Sequence, residues 1–536
     1  MSSIDRLIDE FLLTEWEEFP VRASSLGIEG HDHRMTDLSA DGHARREAAD
    51  LAWLSRFEGV KDDGLTVNER IDRDLVISTL RGRLVNAEWQ GWRRDPSAYA
   101  GAGLTGVFTL FLHRLSPEPE LAEAAAARLR EVPTVLAAGR ANLDPKLAHP
   151  LIVERAIGQC RAGANYAKNI APQQVEDSAA RALLAAAGTE AAEAYDQFAD
   201  HLTGLASEAT GDYAIGEELY SRLLTEKELL GYGAVEMRER GHAAYAELDA
   251  EAKTLAREIG GTDDWQAVVT DLNKDHPATP EAMRDEYARW SEKARQFLHD
   301  TKLVTMPPGE VCHVVPSPEF QRPMLAVASY MSPPAFRPSL VGYFNVPYPP
   351  DGVSDEEVQK RLETNSFHSI PTITVHEAYP GHHWHLVTAQ ANPRPARRVF
   401  STSYFSEGWA LYAERVMREK GFFEDPRHEL CHLDARLFRA ARIIVDTSLH
   451  IGDMSVEEAV TFMSTKASLS EPTARAEVGR YCSWPTQASS YLTGAIEIER
   501  IRDQWVAGGG DLRAFHDKIA LSGMLPIALA EQAVLA

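Results

Sequence analysis

Apolar residues recur at three- and four-residue steps through almost all of the first 300 positions, and that spacing predicts helices. The clearest runs are Ile4 to Trp16, Glu47 to Phe57, Asn68 to Trp89 and Glu118 to Ala137. Ala-rich stretches such as SAARALLAAAGTEAAEAYDQFADHL and YGAVEMRERGHAAYAELDAEAKTLAREI join strong helix formers with acid–base pairs. Pro and Gly punctuate the pattern, and ATPEAM, residues 278–283, reads as a capped helix start. The pattern changes between Lys302 and Pro350. There VCHVVPSPEF, MLAVASYM and SLVGYFNVPY are rich in Pro and in β-branched or aromatic residues, which predicts short strands separated by turns. Helical spacing returns at Ser354 and runs to Ala536. The expected fold is mainly α with a small β-sheet insert near residues 302–350. Residues 1–300 and 301–536 form its two halves, within one continuous structural unit.

Composition narrows the function classes. The 536 residues carry 55 Lys+Arg against 80 Asp+Glu, a formal charge of −25. Without a basic stripe to neutralise phosphates, nucleic acid is not an expected partner, and the acidic balance disfavours anionic membranes. Hydrophobic residues at 44% and charged residues at 25% exclude a disordered chain. No run of 18 apolar residues occurs, and MSSIDRLIDEFLLTEWEEF lacks the basic and apolar regions of a signal peptide. Cys160, Cys312, Cys431 and Cys482 are far apart and form no CxxC pair, so they read as free thiols. These features point to a cytoplasmic monomer or homodimer.

The sharpest local signal is ITVHEAYPGHHWHLVTA, residues 373–389. His376-Glu377 resembles the opening of a zincin helix, in which two His hold Zn²⁺ and the Glu works on the attacking water. The usual spacing is H-E-x-x-H, but position 380 is Pro and the next His is His382. Six residues turn a regular helix by about 600°, which aims the two rings apart. Pro380 removes a backbone donor and Gly381 permits unusual dihedrals, so a two-residue bulge could bring His382 round. His383 lies about 10 Å along the axis from His376 and, with His385, is a lesser candidate. A third ligand is expected from YFSEGWALYAERVM, residues 404–417. Its Glu407 and Glu414 share one face of a nearly apolar helix, where a carboxylate needs a cation or donors. Glu407 is assigned as the metal ligand, and Glu414, two turns deeper, as the group orienting a ligand His.

HEAYPGHH followed by EGWALYAE resembles the bacterial family called "domain of unknown function 885". FPVRASSLGIEG, RAARIIVDTSLH and YCSWPTQASSYLTG extend the resemblance over most of the chain. That family looks like a distant relative of carboxypeptidase Taq and of angiotensin-converting-enzyme type peptidases. The resemblance implies a zincin-like helical body enclosing a cleft, with residues 1–300 covering it and residues 301–536 forming the catalytic half. It also implies one zinc ion on His376, His382 and Glu407, with Glu377 as general base. Thr486 departs from the family, which more often has Gly there, and this leaves the shape of that turn open.

Substrate-handling candidates lie further on. Arg442, Asp446 and His450 follow at four-residue steps and share one helix face, either as a rail along the cleft, with His450 assisting the reaction, or as a plain salt-bridged helix. Arg480, Tyr481, Gln487 and Tyr491 surround a Pro turn. Tyr491 suits a donor to the developing oxyanion, and Arg480, with Tyr481 beside it, suits a substrate carboxylate. Tyr343 and Asn345 in SLVGYFNVPY would face the cleft if that strand pairs with an extended substrate. Three functions follow: a zinc metallopeptidase or carboxypeptidase on short peptides, a zinc hydrolase on a small amide metabolite, or a catalytically silent binding protein.

Overall fold

Helices begin where the sequence can satisfy their first amide donors. Ser2 with Asp5, Thr66 with Glu69, Ser354 with Glu357 and Ser455 with Glu458 each form a reciprocal capping box. Thr279 caps the helix at Pro280, within ATPEAM. The computed structural model describes residues 2–322, 327–350 and 352–536. Helices dominate, and a three-stranded sheet is inserted among them. The four early runs form the helices Ser3–Glu18, Ala40–Glu58, Val67–Trp89 and Glu118–Asn142. Among the described residues no helix is long and apolar enough to cross a membrane.

The chain divides into two units. The first runs to Leu223 and takes in Pro334–Pro338. In its core Tyr195, on the helix Ser178–Glu208, donates to the Ala100 carbonyl at 3.0 Å. Arg128 is fully buried, and its guanidinium donates to the carbonyls of Gly106 and His31. Pro334–Pro338 joins this unit through Phe336, whose amide donates to the Leu26 carbonyl at 2.9 Å.

The second unit comprises Leu224–Pro333 and Ser339–Ala536. The helices between 224 and 301, which the sequence groups with the N-terminal half, are packed here. They include α1 (Ala234–Gly260) and α2 (Pro280–Thr301). The strands are β1 (Val311–Pro316), β2 (Ser329–Met331) and β3 (Val341–Val346), in the order β1-β3-β2. Residues 324–326 of the expected strand MLAVASYM lie outside the described residues. β3 pairs in parallel with β1 and antiparallel with β2, so both its edges are taken. This corrects the expectation that SLVGYFNVPY receives an extended substrate: a central strand has no free ladder to offer. Phe344 and Val346 point into the core, whereas Tyr343 and Asn345 lie on the other face, Tyr343 exposed and Asn345 buried.

Candidate metal centre

Two short helices replace the one that H-E-x-x-H would require. α3 (Ile370–Glu377) ends at the His376-Glu377 pair, and α4 (His382–Ala389) begins at His382. Between them the Gly381 amide donates to the Val375 carbonyl at 3.0 Å, and the Trp384 amide to the Ala378 carbonyl at 3.3 Å. Both bonds span six residues instead of four, so the chain carries a bulge of two extra residues. A Cβ at Gly381 would lie 1.9 Å from the His376 carbonyl oxygen, so only glycine fits. The Tyr379-Pro380 peptide is cis, and the Pro380 carbonyl accepts from Trp409 Nε1 at 2.8 Å. The result is that the rings of His376 and His382 meet edge to face, 4.8 Å between centroids.

The third group arrives from α5 (Ser403–Glu419). Glu407 Oε2 stands 3.5 Å from His376 Nε2 and 3.5 Å from His382 Nε2. That is long for a hydrogen bond. Two ligands about 2.0–2.1 Å from a tetrahedral zinc sit about 3.4 Å apart, close to the observed separation. The position of α5 is set by its crossing with α8 (Ser490–Ala507), where Gly408 and Gly494 bring the two backbones into contact. A Cβ on Gly494 would lie 1.8 Å from the Tyr404 carbonyl oxygen. Two turns further along α5, Glu414 is 1% exposed, and its Oε1 lies 2.7 Å from His376 Nδ1. Its other oxygen lies 3.3 Å from Nδ1 of His432, on α6 (Pro426–Ile451).

The electrostatics call for a cation. Glu377, Glu407 and Glu414 converge on two imidazoles, and among the described residues none of the three is paired with Lys or Arg. Burial alone would push their carboxyls up. The His376 and His382 rings nevertheless hold Glu407 well below the ordinary carboxylate range, and His376 and His432 hold Glu414 near 2. Burial works against charging His376, yet Glu407 and Glu414 raise it to about 10. For Glu377 burial wins, lifting its carboxyl above the usual range. It carries no hydrogen bond among the described residues. Two nitrogens and one oxygen at this spacing, with further carboxylates beside them, could hold a divalent metal such as zinc with one vertex left open.

The other two histidines of the motif have different work. His383 is fully buried, with Nε2 on Glu310 at 2.8 Å and Nδ1 on Tyr330 at 2.9 Å. Glu310 also accepts from Tyr379 at 2.6 Å and from Arg295 at 2.8 Å, so this network clamps the bulge from behind. His385 is buried against Phe405 and Trp409 with both ring nitrogens unpaired. Burial lowers it to about 3, so it stays neutral as a packing group.

A family model described as "Bacterial protein of unknown function (DUF885)" matches residues 20–534. The chain belongs to this family. Two solved structures share the fold of this DUF885 protein, each described as a "putative lipoprotein". The one from Shewanella oneidensis, further described as of unknown function, is 23% identical, covers 100% of both chains and has a TM-score of 0.82. The one from Colwellia psychrerythraea is 19% identical, covers 99% of this chain and 98% of its own, with a TM-score of 0.81. No curated protein matches the sequence.

The remaining candidates of the DUF885 chain gather around a residue the sequence did not single out. On α7 (Glu471–Ser483), Glu477 accepts from Arg442 at 2.9 Å, Arg480 at 3.0 Å and Tyr481 at 2.8 Å. Against the burial cost, Arg442 and Arg480 hold it near 2. The Arg442 guanidinium lies 4.7 Å from the Tyr491 ring centroid, and Gln487 donates to the Tyr491 hydroxyl at 3.4 Å. His450 is fully buried, with Nε2 2.9 Å from the Tyr481 carbonyl, and Asp446 is buried one turn before it. Arg442 and His450 are therefore both fastened to α7. Thr486 keeps the turn a glycine would make, at φ 68°. Glu310 is a lone acid with no spacing signal, whereas Glu477 stands three and four residues before Arg480 and Tyr481, a helical spacing that marks it. His432 had one, since His428, His432 and Arg436 follow at four-residue steps. A cavity of about 650 Å³ lies behind the centre, lined by His432 and by Arg415, Arg418, Arg436, Glu251 and Glu499. None of the three metal-site side chains lines it.

Proposed function

We propose that this protein is a mononuclear zinc hydrolase that cleaves amide bonds, most simply a metallopeptidase acting on short peptides in the cytoplasm. The observation that carries the reading is the placement of His376 Nε2 and His382 Nε2 at 3.5 Å from one oxygen of Glu407, with the free Glu377 carboxyl adjacent in sequence. A zincin-like fold, distantly similar to carboxypeptidase Taq and angiotensin-converting-enzyme type peptidases, belongs to the same proposal. So does the cytoplasmic location, which four cysteines outside any disulfide support and the lipoprotein description of the two structural neighbours opposes.

His376, His382 and Glu407 would hold the ion, with Glu414 fixing the His376 ring through Nδ1. Bound zinc supplies Lewis acidity and makes water acidic enough to deprotonate near neutral pH. Glu377 would take a proton from the attacking water and return it to the leaving amine, a task suited to a carboxyl whose proton affinity burial has raised. Tyr491 is the candidate donor to the developing oxyanion, with Arg442 against its ring.

A second reading, a small amide metabolite as substrate, gains support from Glu477. Arg442 and Arg480, the groups that would grip a peptide carboxylate, already share that internal carboxylate. Incubating zinc-loaded protein with a library of short peptides and with N-acyl amino-acid amides, read by mass spectrometry, separates the two. Peptide products support the peptidase, and products from the amides alone support the metabolite enzyme. No hydrolysis of either class overturns the hydrolase reading.

A further inference from the structure

A second constellation stands apart from the first. His368, in the turn before α3, Asp425, the cap of α6, and His428, in the first turn of α6, each place one ligand atom within 4.8 Å of the others. His368 is 4% exposed. Its Nε2 lies 3.1 Å from Asp275 Oδ2, and its Nδ1 is buried without a partner. Nδ1 of His428 is likewise buried and unpaired, and the two rings lie 5.8 Å apart. A buried imidazole nitrogen left unmatched is costly, and here two such rings stand within ligand distance of one carboxylate, which makes the cluster a candidate donor set.

We propose that His368, His428 and Asp425 form a second binding site for a divalent transition metal of the zinc type. Asp275 orients His368 by the same device that Glu414 applies to His376: a carboxylate fixes one ring nitrogen so that the other faces the ion. Burial keeps both rings neutral, the form that coordinates, with His428 lowered to about 4. Asp425 Oδ1 caps the Arg427 amide at 2.9 Å, and both its oxygens accept from the exposed Arg427 guanidinium, which solvent can take up when one of them binds a metal. The ion would tie together the Asp275 turn, the start of α3 and the start of α6. These elements carry His376 and His432, so the second metal acts as a structural staple behind the first centre. The assignment does not depend on hydrolysis.

The test is zinc titration of chelator-stripped, full-length protein against a chromophoric competitor, with thermal unfolding followed in parallel. Wild type should take up two equivalents. His376→Ala and His428→Gln should each take up one, and the rise in melting temperature that accompanies the second equivalent should vanish in His428→Gln. Two equivalents in His428→Gln, or a single wild-type equivalent abolished by His376→Ala, overturns the proposal. Should His428→Gln not fold, zinc-edge anomalous diffraction from wild-type crystals decides. A peak between His368 and His428 supports the site, and a water or no density there, with zinc at His376, overturns it.

Discussion

Replacing Glu414 with Gln keeps an acceptor beside His376 and removes its charge. The bond at 2.7 Å is buried and charge-assisted, and Glu414 also faces His432 at 3.3 Å, so both rings lean on one carboxylate. Hydrogen bonds to charged groups contribute about 1.5–3 kcal/mol. Since about 1.4 kcal/mol is a factor of ten in affinity, Glu414→Gln should weaken zinc binding about 10- to 100-fold, the range typical of lost outer partners of a ligand His. Glu414→Ala should cost more, because it leaves Nδ1 of His376 buried with nothing to bond. The assay is competition for zinc with a chromophoric chelator at one neutral pH, with circular dichroism confirming that each variant is folded. A folded Glu414→Gln protein with wild-type zinc affinity would refute the reasoning.

The four histidines of the motif should separate by role: His382→Ala and His376→Ala lose zinc alike, whereas His383→Ala and His385→Ala keep it. His383→Ala should instead lower the melting temperature by removing one of the partners that hold buried Glu310, and loss of zinc in His383→Ala with retention in His382→Ala would contradict the bulge. Gly381→Ala should lose both stability and zinc, because its Cβ would meet the carbonyl oxygens of His376 at 1.9 Å and Val375 at 2.2 Å. A Gly381→Ala protein that melts and binds zinc like wild type would sink that argument. His516 accepts from Tyr412 at 2.7 Å and sits 2.8 Å from the Leu303 carbonyl, and burial lowers it from 6.5 to about 4. A depressed histidine contributes stability above its unfolded value and loses it as pH falls through the folded one. Acidification from pH 6.5 to pH 4 should therefore cost wild type about 3 kcal/mol that His516→Gln does not lose. Equal acid sensitivity of the two proteins in thermal melts would contradict it.

Much of the fold was legible because helices announce themselves locally. The run from Asn68 to Trp89 became Val67–Trp89, longer only at its start, and Glu118 to Ala137 became Glu118–Asn142, longer only at its end. The bulge was legible for the opposite reason. Pro380 and Gly381 contradict a regular helix between two ligand-type residues, and a contradiction of that kind marks a constrained site. Strand order was not legible, since period-two patterning gives a strand's faces and not its neighbours. This is why Tyr343 and Asn345 turn out to lie on a central strand. The division at Leu223 left no compositional mark, because helices on both sides of it carry the same Ala-rich pattern. Glu310 escaped because its partner His383 lies 73 residues away; Glu477 stands three residues before Arg480, but nothing local shows that Arg442, 35 residues away, shares it.

The most direct test of the central claim is the hydrolysis rate of zinc-loaded Glu377→Gln protein on whichever peptide or amide the wild type cleaves, measured with the metal content of the same sample. The account predicts an unchanged zinc stoichiometry and a rate lower by about 10²–10⁴-fold, since the amide can hydrogen-bond water but cannot take its proton. A Glu377→Gln protein that keeps its zinc and hydrolyses at the wild-type rate would contradict it.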